Sequence, residues 1–386
     1  MIKVYNKKSD CCACGTCEII CPVHAITMRP DEYGYLYPYI DNTMCVDCKK
    51  CIKHCPMLHN STTKVKKVYA AICQEKSIKQ KSASGGAFAG IAKAFLEQSG
   101  IVCGAAACKI DQSIEVKHTC IQATEELVKL QGSKYVQSDL REVLPEIKKN
   151  VLNGKQVLFS GTPCQVAALY NYLGKKYENL TTIDLICHGV PSPIWWKKSI
   201  GLLEKQLGGS IIEVSFRDSE KWMLGHIGHI GRKGEIEYTE YCRKNSYYDL
   251  FLKGEIFRES CYNCPFAKKS RVADLTLGDY WGFSEEYDSK NIEREWNVDL
   301  NHGLSCILVN TSHGENMINN TPLWLYVSEL EKVTKHNAQL CQPSLKGKNR
   351  SLLLKIYKIF GYEWVDRYCR LKANIWRIIH TRKGKK

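Results

Sequence analysis

The stretch CCACGTCEIICP at residues 11–22 returns later in the chain as CVDCKKCIKHCP at residues 45–56. In both stretches two residues separate the first cysteine of the motif from the second, and two separate the second from the third. Three residues separate the third from the fourth, and a proline follows the fourth. A tight loop of this kind places three thiolates on three irons of a cubic cluster, while the remaining iron takes a cysteine from the other stretch. The repeat therefore predicts a small unit that binds two [4Fe–4S] clusters.

The spacing assigns the repeated cysteines to two ligand sets. One set is Cys11, Cys14, Cys17 and Cys55, and the other is Cys45, Cys48, Cys51 and Cys21. Structural zinc is the alternative, but zinc sites use CxxC pairs separated by a longer spacer, not a duplicated run that ends in Cys-Pro. Cys12 lies outside the repeat, and we expect it not to be a ligand.

The cysteine content and the composition indicate a compartment. The 386-residue chain contains 21 cysteines, and nine of them precede residue 56. An odd number clustered in this way favours metal ligands or redox groups over a disulfide scaffold. Residues 1–10 are polar and lack the apolar core of a secretory signal, and no apolar run approaches the length that spans a bilayer. We therefore expect a cytoplasmic protein.

The positive charge is concentrated at one end of the chain. Of the net charge of +15, residues 346–386 supply 13 Lys or Arg against two acids, Glu363 and Asp366. The rest of the chain is close to neutral, which argues against a nucleic-acid partner. The basic segment mixes apolar and charged residues at near-helical spacing. Peripheral contact with the inner face of a membrane is one interpretation, and a solvated helix packed on the body is the other.

Alternating elements follow a polar linker near residues 60–67. The pattern predicts the following strands and helices, in chain order: strand 68–72, helix 84–98, strand 101–107, helix 138–152, strand 157–160, helix 163–173 and strand 182–186. Later strands at 211–216 and 236–241 indicate a mixed sheet. The predicted fold class is α+β: a ferredoxin-like domain (1–62), a larger α/β domain with a mixed sheet (63–340) and a basic helical tail (341–386).

Three segments of the larger domain are candidates for chemistry. Residues 82–86, SASGG, open a helix with small residues, which suits a phosphate but is also a common helix cap. Residues 161–165, GTPCQ, and 184–189, DLICHG, each follow a strand, where α/β proteins bind ligands. Residues 261–265, CYNCP, form a further CxxCP motif.

The cysteines of these segments predict a third [4Fe–4S] cluster. Its ligands would be Cys164, Cys187, Cys261 and Cys264. The alternative is that they are buried free cysteines, because free Cys is among the most buried residue types. His188 is a candidate proton donor, or else a loop histidine whose role is structural.

Several ordered segments together resemble a known family. Beyond the N-terminal motifs they are residues 84–86, 132–138, 159–165, 184–193 and 261–264, completed by Arg271, Asp274 and residues 277–282. From about residue 11 to about residue 314, the chain is similar to the beta subunits of coenzyme F420 hydrogenases and dehydrogenases. It resembles the bacterial members that carry an N-terminal ferredoxin domain with two [4Fe–4S] clusters.

The resemblance implies FAD in the larger domain with the third cluster beside it. The candidate FAD contacts that it implies are Ser84, Gly85, Gly86, Gly132, Ser133, Lys134, Tyr135, Gly161, Thr162 and Pro163. Lys134 is a candidate to neutralise the pyrophosphate or to stabilise a reduced flavin. Lys134 and His188 are the candidate catalytic residues.

Two functions from different classes agree with this resemblance. In the first, the chain is an oxidoreductase that moves electrons between ferredoxin-type clusters and FAD and couples them to hydride transfer with an organic substrate or a deazaflavin coenzyme. Its partners would be a ferredoxin or flavin-type carrier and a small molecule, and some family members are associated with surface polysaccharide synthesis. In the second, the chain is an electron-transfer subunit that docks on a partner enzyme and has no substrate of its own.

Overall fold

In the computed structural model, residues 3–110, 113–217, 226–232, 237–241 and 245–383 are described. The N-terminal unit pairs two short helices with one antiparallel hairpin. Its elements are α1 (Thr16–Ile19), β1 (Ile26–Pro30), β2 (Leu36–Ile40) and α2 (Lys50–Lys53). Each helix carries a cysteine of one stretch beside the hairpin, and Cys17, Cys21 and Cys51 are buried in one cluster with Val4, Ala25 and Ile26.

The larger unit contains an eight-stranded mixed sheet in the part of the chain that the structure describes. Its first half is built from β3 (Lys67–Cys73), α3 (Lys76–Gln80), α4 (Ala87–Glu97), β4 (Ile101–Ile110), β5 (Ser113–Ile121), α5 (Val143–Leu152), β6 (Val157–Gly161), α6 (Pro163–Leu173), β7 (Leu180–Leu185) and α7 (Pro193–Leu207). The strand order is β5-β4-β6-β7 across this half, and β4, β6 and β7 run parallel.

The second half of the unit completes the sheet on its other side. Its elements are β8 (Ile211–Val214), β9 (His226–Arg232), β10 (Glu237–Tyr241), α8 (Ser246–Leu252), β11 (Leu275–Asp279), α9 (Phe283–Glu286), α10 (Ser289–Trp296), β12 (Ser305–Val309), α11 (Ser312–Ile318), β13 (Leu323–Ser328) and α12 (Leu330–His336). β11 lies parallel to β7, and then β12, β3 and β13 follow antiparallel to one another. Short 3-10 turns lie at Lys8–Asp10, Thr124–Lys129, Glu259–Asn263, Leu300–His302 and Ala338–Leu340.

Helices cover both faces of the sheet because its strands are apolar on both sides. On β6, Leu158 faces a core that includes α4, whereas Val157 and Phe159 face a core that includes α5 and α6. The parallel strands β6, β7 and β11 end at one edge, where α/β proteins place their ligands. The predicted mixed sheet is therefore confirmed, although β8, β9 and β10 form a separate three-stranded antiparallel sheet and do not extend it.

One predicted helix begins five residues later than its pattern indicated. Residues 138–140 do not join the helix because Asp139 pairs with β5: the amide of His118 donates to the Asp139 carbonyl oxygen at 2.9 Å, and the amide of Asp139 donates to the carbonyl oxygen of Val116. The helix α5 starts only after this bridge. Tertiary pairing here overrides helical periodicity.

Two cysteines that have no ligand spacing form a disulfide. Cys103 on β4 lies directly opposite Cys120 on β5, and the two are joined. Their spacing in the sequence does not predict this pairing, because it does not reveal the register of the two strands.

The basic tail is helical and partly belongs to the core. Its helices are α13 (Arg350–Phe360) and α14 (Tyr362–Lys383). Leu353, Tyr357 and Val365 are buried in a cluster with Trp195 and other residues of α7 and α8. The outward face instead exposes Ile359, Phe360, Trp364 and Leu371. Among the described residues, no helix has the length and apolarity needed to cross a membrane.

Candidate redox site

The repeated cysteines line two cavities in the N-terminal unit. The cavity that we call the inner cavity is lined by Cys11, Cys14, Cys17 and Cys55, and the outer cavity is lined by Cys21, Cys45, Cys48 and Cys51. The structure thus brings together each ligand set that the spacing indicated. Within the described residues, no three Cys, His, Asp or Glu side chains converge on a position for a single metal ion.

The remaining predicted ligands line a third cavity, in the larger unit. Cys164, in the first turn of α6, Cys187, just after β7, and Cys261 and Cys264, at the Glu259–Asn263 turn, all face it. The cavity encloses about 760 Å³ including its opening to solvent. Segments that are far apart in sequence therefore present their thiols to one space, which we call the central cavity.

A buried ion pair positions the segments around the central cavity. Nη2 of Arg271 donates to Oδ1 of Asp184 at 2.9 Å, and both side chains are buried. The other carboxylate oxygen, Oδ2, accepts from the amides of Val272 and Ala273. Nη1 of Arg271 donates to the carbonyl oxygen of Phe266 at 3.3 Å. The strand that leads to Cys187 and the loop that follows Cys264 are fixed together by this network.

Three of the four thiols of the central cavity, those of Cys187, Cys261 and Cys264, have a pKa raised by burial, whereas a hydrogen bond from Cys12 lowers the pKa of Cys164. Burial raises the pKa of Cys261 to about 12 and that of Cys264 to about 11. The pKa of Cys55 in the inner cavity is also raised by burial, to about 11. As isolated groups they would stay protonated, and iron supplies the positive charge that makes a buried thiolate stable. The donor set therefore fits an iron–sulfur cluster.

The inner and central cavities share a wall. Cys12, Ala13, Cys14 and Met57 line both of them. The larger unit holds this loop from outside, because Nε2 of Gln137 donates to the carbonyl oxygen of Cys12 at 2.8 Å. Cys12, which the repeat left unassigned, therefore lies between the two predicted clusters.

Arg258 is a buried cation at the same wall, and sequence reasoning did not identify it. Its side chain has no exposed surface and lines the central cavity. Nε donates to the carbonyl oxygen of Cys11 at 2.7 Å, Nη2 donates to that of Leu36, and Nη2 lies 3.8 Å from Cys11 Sγ. Among the described residues Nη1 has no hydrogen-bond partner. A buried guanidinium with an unpartnered nitrogen fits an anionic neighbour.

Lys134 and His118 are polar residues of the larger unit that are not among the lining residues of the three cavities. The ammonium of Lys134 donates only to the carbonyl oxygens of Lys129 and Gln131, and no described carboxylate pairs with it. Burial lowers the pKa of Lys134 to about 7. Nearby, burial lowers the pKa of His118 to about 4, so its ring is neutral.

The ring of His118 has a free acceptor nitrogen. Its Nε2 donates to the carbonyl oxygen of Ser160 at 3.0 Å, and its Nδ1 is buried without a partner in the described part of the chain. Leaving such an acceptor unsatisfied costs about 1–3 kcal/mol. Together the pair offers a cation for an anionic group and an acceptor for a donor, which fits a flavin nucleotide.

Of the other predicted flavin contacts, the segment that begins at Gly132 has open space at its glycine, whereas the segment at Gly85 is closely packed. Gly132 has a φ of +77° and open space around it, and Ser133 and Lys134 follow it. Gly85 is packed differently: a Cβ there would lie 2.4 Å from the carbonyl oxygen of Ala71. Ser84 donates to the carbonyl oxygen of Leu304, and Gly86 begins α4 with a φ of +81°. This glycine pair is thus explained by close packing of helix on strand.

The segment 161–163 caps α6 at the edge of the central cavity. Thr162 and the side chain of Gln165 form a capping box, Pro163 occupies the first turn, and Thr162 Oγ1 lies 3.2 Å from Cys164 Sγ. A Cβ on Gly161 would meet the ring of Phe159 at 3.0 Å. The segment positions a predicted cluster ligand, and its predicted contact with FAD stays a prediction.

Arg217 joins several of these segments. It donates to both carboxylate oxygens of Asp279, to the hydroxyl of Tyr135 at 2.7 Å and to the carbonyl oxygen of Ala83. Sequence reasoning missed Arg217 because a lone arginine in a loop carries no spacing signal.

The exposed His188 lies at the rim of the central cavity, and desolvation by the surrounding protein lowers its pKa.

The fold and the site together define an iron–sulfur protein whose N-terminal cluster unit is docked on an α/β domain. Family models place it more closely. The 4Fe-4S dicluster domain matches residues 10–58, and the N-terminal and C-terminal parts of the beta subunit of coenzyme F420 hydrogenase/dehydrogenase match residues 68–145 and 154–332. The two parts together cover about two thirds of the chain. The chain belongs to the family of coenzyme F420 hydrogenase/dehydrogenase beta subunits.

Curated relatives are similar over different shares of their length. One of the subunits of the F(420)H(2) dehydrogenase of Methanosarcina mazei is 22% identical over 246 residues, which are 60% of this chain and 69% of that protein. The coenzyme F420-dependent sulfite reductase of Methanocaldococcus jannaschii is 28% identical over 347 residues, 84% of this chain, and the chain spans 48% of that protein. A chain of the F420-reducing [NiFe] hydrogenase complex from Methanosarcina barkeri is 17% identical, with a TM-score of 0.45, over 85% of this chain and 96% of that one.

We expect Arg258 to set the reduction potential of the cluster at the inner cavity. Reduction adds negative charge, which a buried cation beside Cys11 stabilises. Arg258→Gln should lower this potential by at least about 59 mV, a tenfold change in the reduced fraction at a fixed potential. Redox titration followed by electron paramagnetic resonance measures it.

The outer cluster is the internal control, because Arg258 does not line its cavity. Arg258→Lys keeps the charge and should lower the potential less. Tyr35→Phe removes a neutral hydrogen bond between the units, from the Tyr35 hydroxyl to the carbonyl oxygen of Ile256, and should leave both potentials unchanged. Equal shifts of both clusters in Arg258→Gln, or none, would contradict this role.

Proposed function

We propose that the protein is an iron–sulfur flavoprotein oxidoreductase. It exchanges electrons between ferredoxin-type clusters and FAD and couples them to hydride transfer with an organic substrate or a deazaflavin coenzyme. The observation that carries the proposal is the shared wall at Cys12–Cys14, which joins the inner cavity to a second cysteine cavity in the larger unit. FAD, when bound, supplies the exchange between one-electron and two-electron chemistry.

Different residues of the chain have separate proposed roles in binding the clusters, binding FAD and transferring a proton. The eight repeated cysteines would hold two clusters, and Cys164, Cys187, Cys261 and Cys264 would hold the third. Lys134 would bind the anionic part of FAD, and His118 would accept a hydrogen bond from it. His188, exposed at the rim of the central cavity, is the candidate proton donor.

Cofactor content tests the proposal directly. We expect the anaerobically purified chain to contain about 12 irons and about one FAD, because three cubane clusters need four irons each. Cys264→Ser should remove the central cluster and leave about eight irons. Cys341→Ser, at an exposed cysteine outside all three cavities, is the matched control and should retain the full content. About eight irons without flavin in the unaltered protein would refute the proposal.

Lys134 gives the binding of FAD a predictable dependence on pH. Since burial holds the pKa of Lys134 at about 7 in the free protein, an anionic ligand must raise that pKa when it binds. The affinity for FAD should therefore be highest below pH 7 and fall, by up to about tenfold per pH unit, as the pH rises above 7. Titration of the flavin-free protein between pH 6 and pH 9, with fluorescence detection, measures this slope.

Two substitutions isolate the charge of Lys134. Lys134→Met should bind FAD weakly and without this slope, and Lys134→Arg should bind it tightly across the whole range because arginine stays charged. Lys129→Met, at an exposed neighbour, serves as the control. If Lys134→Met and the unaltered protein have the same affinity at pH 6, Lys134 does not bind FAD.

The family also favours a second candidate function. The relative from Methanosarcina mazei is named as a subunit of a dehydrogenase, and the family is one of beta subunits. The chain would then be an electron-transfer subunit that docks on a partner enzyme and has no substrate of its own. Turnover of an organic substrate or deazaflavin by the lone chain with an artificial electron donor separates this candidate from the first.

The cellular location of the protein and the pathway in which it acts stay predictions. We propose a cytoplasmic protein whose tail meets the inner face of a membrane. The exposed Ile359, Phe360, Trp364 and Leu371 lie on helices that also present Lys355, Lys358 and Arg367, a combination that suits an anionic lipid surface. A role in surface polysaccharide synthesis rests on the resemblance alone.

A further inference from the structure

Of the twelve predicted cluster ligands, Cys48 alone is exposed. It lies in a loop whose residues 46–50 are exposed without a break, and Val46, Lys49 and Lys50 line the outer cavity with it. The lining of this cavity comes only from residues 21–51, so the larger unit does not cover it. The cluster at the outer cavity is therefore the one that another protein reaches first.

The surroundings of Cys48 combine apolar and basic side chains. Met44 is 48% exposed and Val46 is 61% exposed, which is high for large apolar residues. Lys49, Lys50 and Lys53 are exposed, and within the described part of the chain none of them forms a salt bridge. We call the patch of Met44, Val46, Cys48, Lys49, Lys50 and Lys53 the outer face.

We infer that the outer face is the docking surface for an acidic one-electron carrier protein, such as a ferredoxin with a negatively charged surface. This inference rests on the proposed function, because it needs a cluster in the outer cavity. The carrier loses one electron, the outer cluster gains it, and no bond or proton moves. The reverse exchange uses the same surface.

Charge complementarity selects this partner. Three lysines surround the exposed ligand, against the single acid Asp47 between residues 44 and 53. Opposite charges steer a carrier toward the cluster and raise the rate of association by about 10–1,000-fold at low salt. A small patch suffices, because complexes of redox proteins are among the smallest interfaces.

Other occupants fit the outer face less well. A second copy of the chain would bring its own lysines against these, and its net charge of +15 adds to the repulsion. A membrane would meet α13 and α14 in preference, because they present more cations together with exposed tryptophan and phenylalanine. The apolar pair Met44 and Val46 instead suits a protein whose contact centre is apolar with a charged rim.

The test compares charge reversal on the outer face with charge reversal elsewhere. The triple variant Lys49→Glu, Lys50→Glu and Lys53→Glu is prepared as the full chain with its clusters. The matched control is Lys149→Glu, Lys155→Glu and Lys290→Glu, at exposed lysines of the larger unit that line none of the cluster cavities. Both variants have the same net charge.

The probe is a reduced acidic two-cluster ferredoxin, mixed anaerobically in a stopped-flow instrument. We expect cluster reduction in the outer-face variant to be at least tenfold slower than in the control variant at low salt. The rate for the unaltered protein should fall steeply with added salt, and that for the outer-face variant should not. Lys49 and Lys50 line the outer cavity, so redox titration of each variant measures the potential of the outer cluster and separates a change in driving force from a change in association.

Equal rates in the two variants would overturn the inference, and so would a failure of the ferredoxin to reduce the unaltered protein faster than the outer-face variant. Either result is distinct from failure of the proposed function. Iron content and flavin reduction by a small chemical reductant report on the clusters and on FAD, whether or not a protein docks at the outer face.

Discussion

The central cavity depends on the buried ion pair between Asp184 and Arg271. The carboxylate accepts from the guanidinium, from the hydroxyl of Thr276 at 2.6 Å and from two backbone amides, so its charge is satisfied inside the protein. Removing one partner of such a pair costs about 3–5 kcal/mol, because the other charge is left buried alone. The pair ties the end of β7 to the loop before β11, and these are the segments that bring Cys187 and Cys264 to one space. The geometry of the site therefore depends on this ion pair, and its Arg271 also lines the central cavity.

Arg258 connects this arrangement to the N-terminal unit. Its guanidinium reaches the backbone of Cys11 and Leu36, while its own backbone precedes the turn that carries Cys261. Docking of the two units thus delivers a positive charge to the wall between the inner and central cavities. The same contact that orients the units also acts on the electrostatics of the clusters. The outer cavity, by contrast, is lined only by residues of the N-terminal unit and is exposed to solvent at Cys48. The three cavities accordingly differ in exposure and in charge, and both differences follow from how the units pack.

The sequence predicted those features that depend on residues close together in the chain, such as motif spacing and the bounds of α6. The spacing of the repeated cysteines grouped them into the two sets that line the inner and outer cavities, and the helix predicted over 163–173 is present as α6. Contacts between distant residues were not predictable in this way. The contact of Arg258 with Cys11 spans 247 positions, and a single arginine has no periodicity to reveal it. Asp139 lies in a segment whose pattern predicts helix, yet it pairs with β5, since tertiary hydrogen bonds outweigh a weak propensity. Gly85 resembles a phosphate-binding glycine, but its lack of a side chain is required by the backbone of β3.

The central claim is that the cavity of Cys164, Cys187, Cys261 and Cys264 holds a cluster next to the one at Cys11, Cys14, Cys17 and Cys55. Crystals of the anaerobically purified protein, measured at the iron absorption edge, test it most directly. The account predicts three separate anomalous peaks, one in each cavity, with two of them on either side of the Cys11–Cys14 loop. Peaks in the inner and outer cavities with none in the central cavity would contradict it.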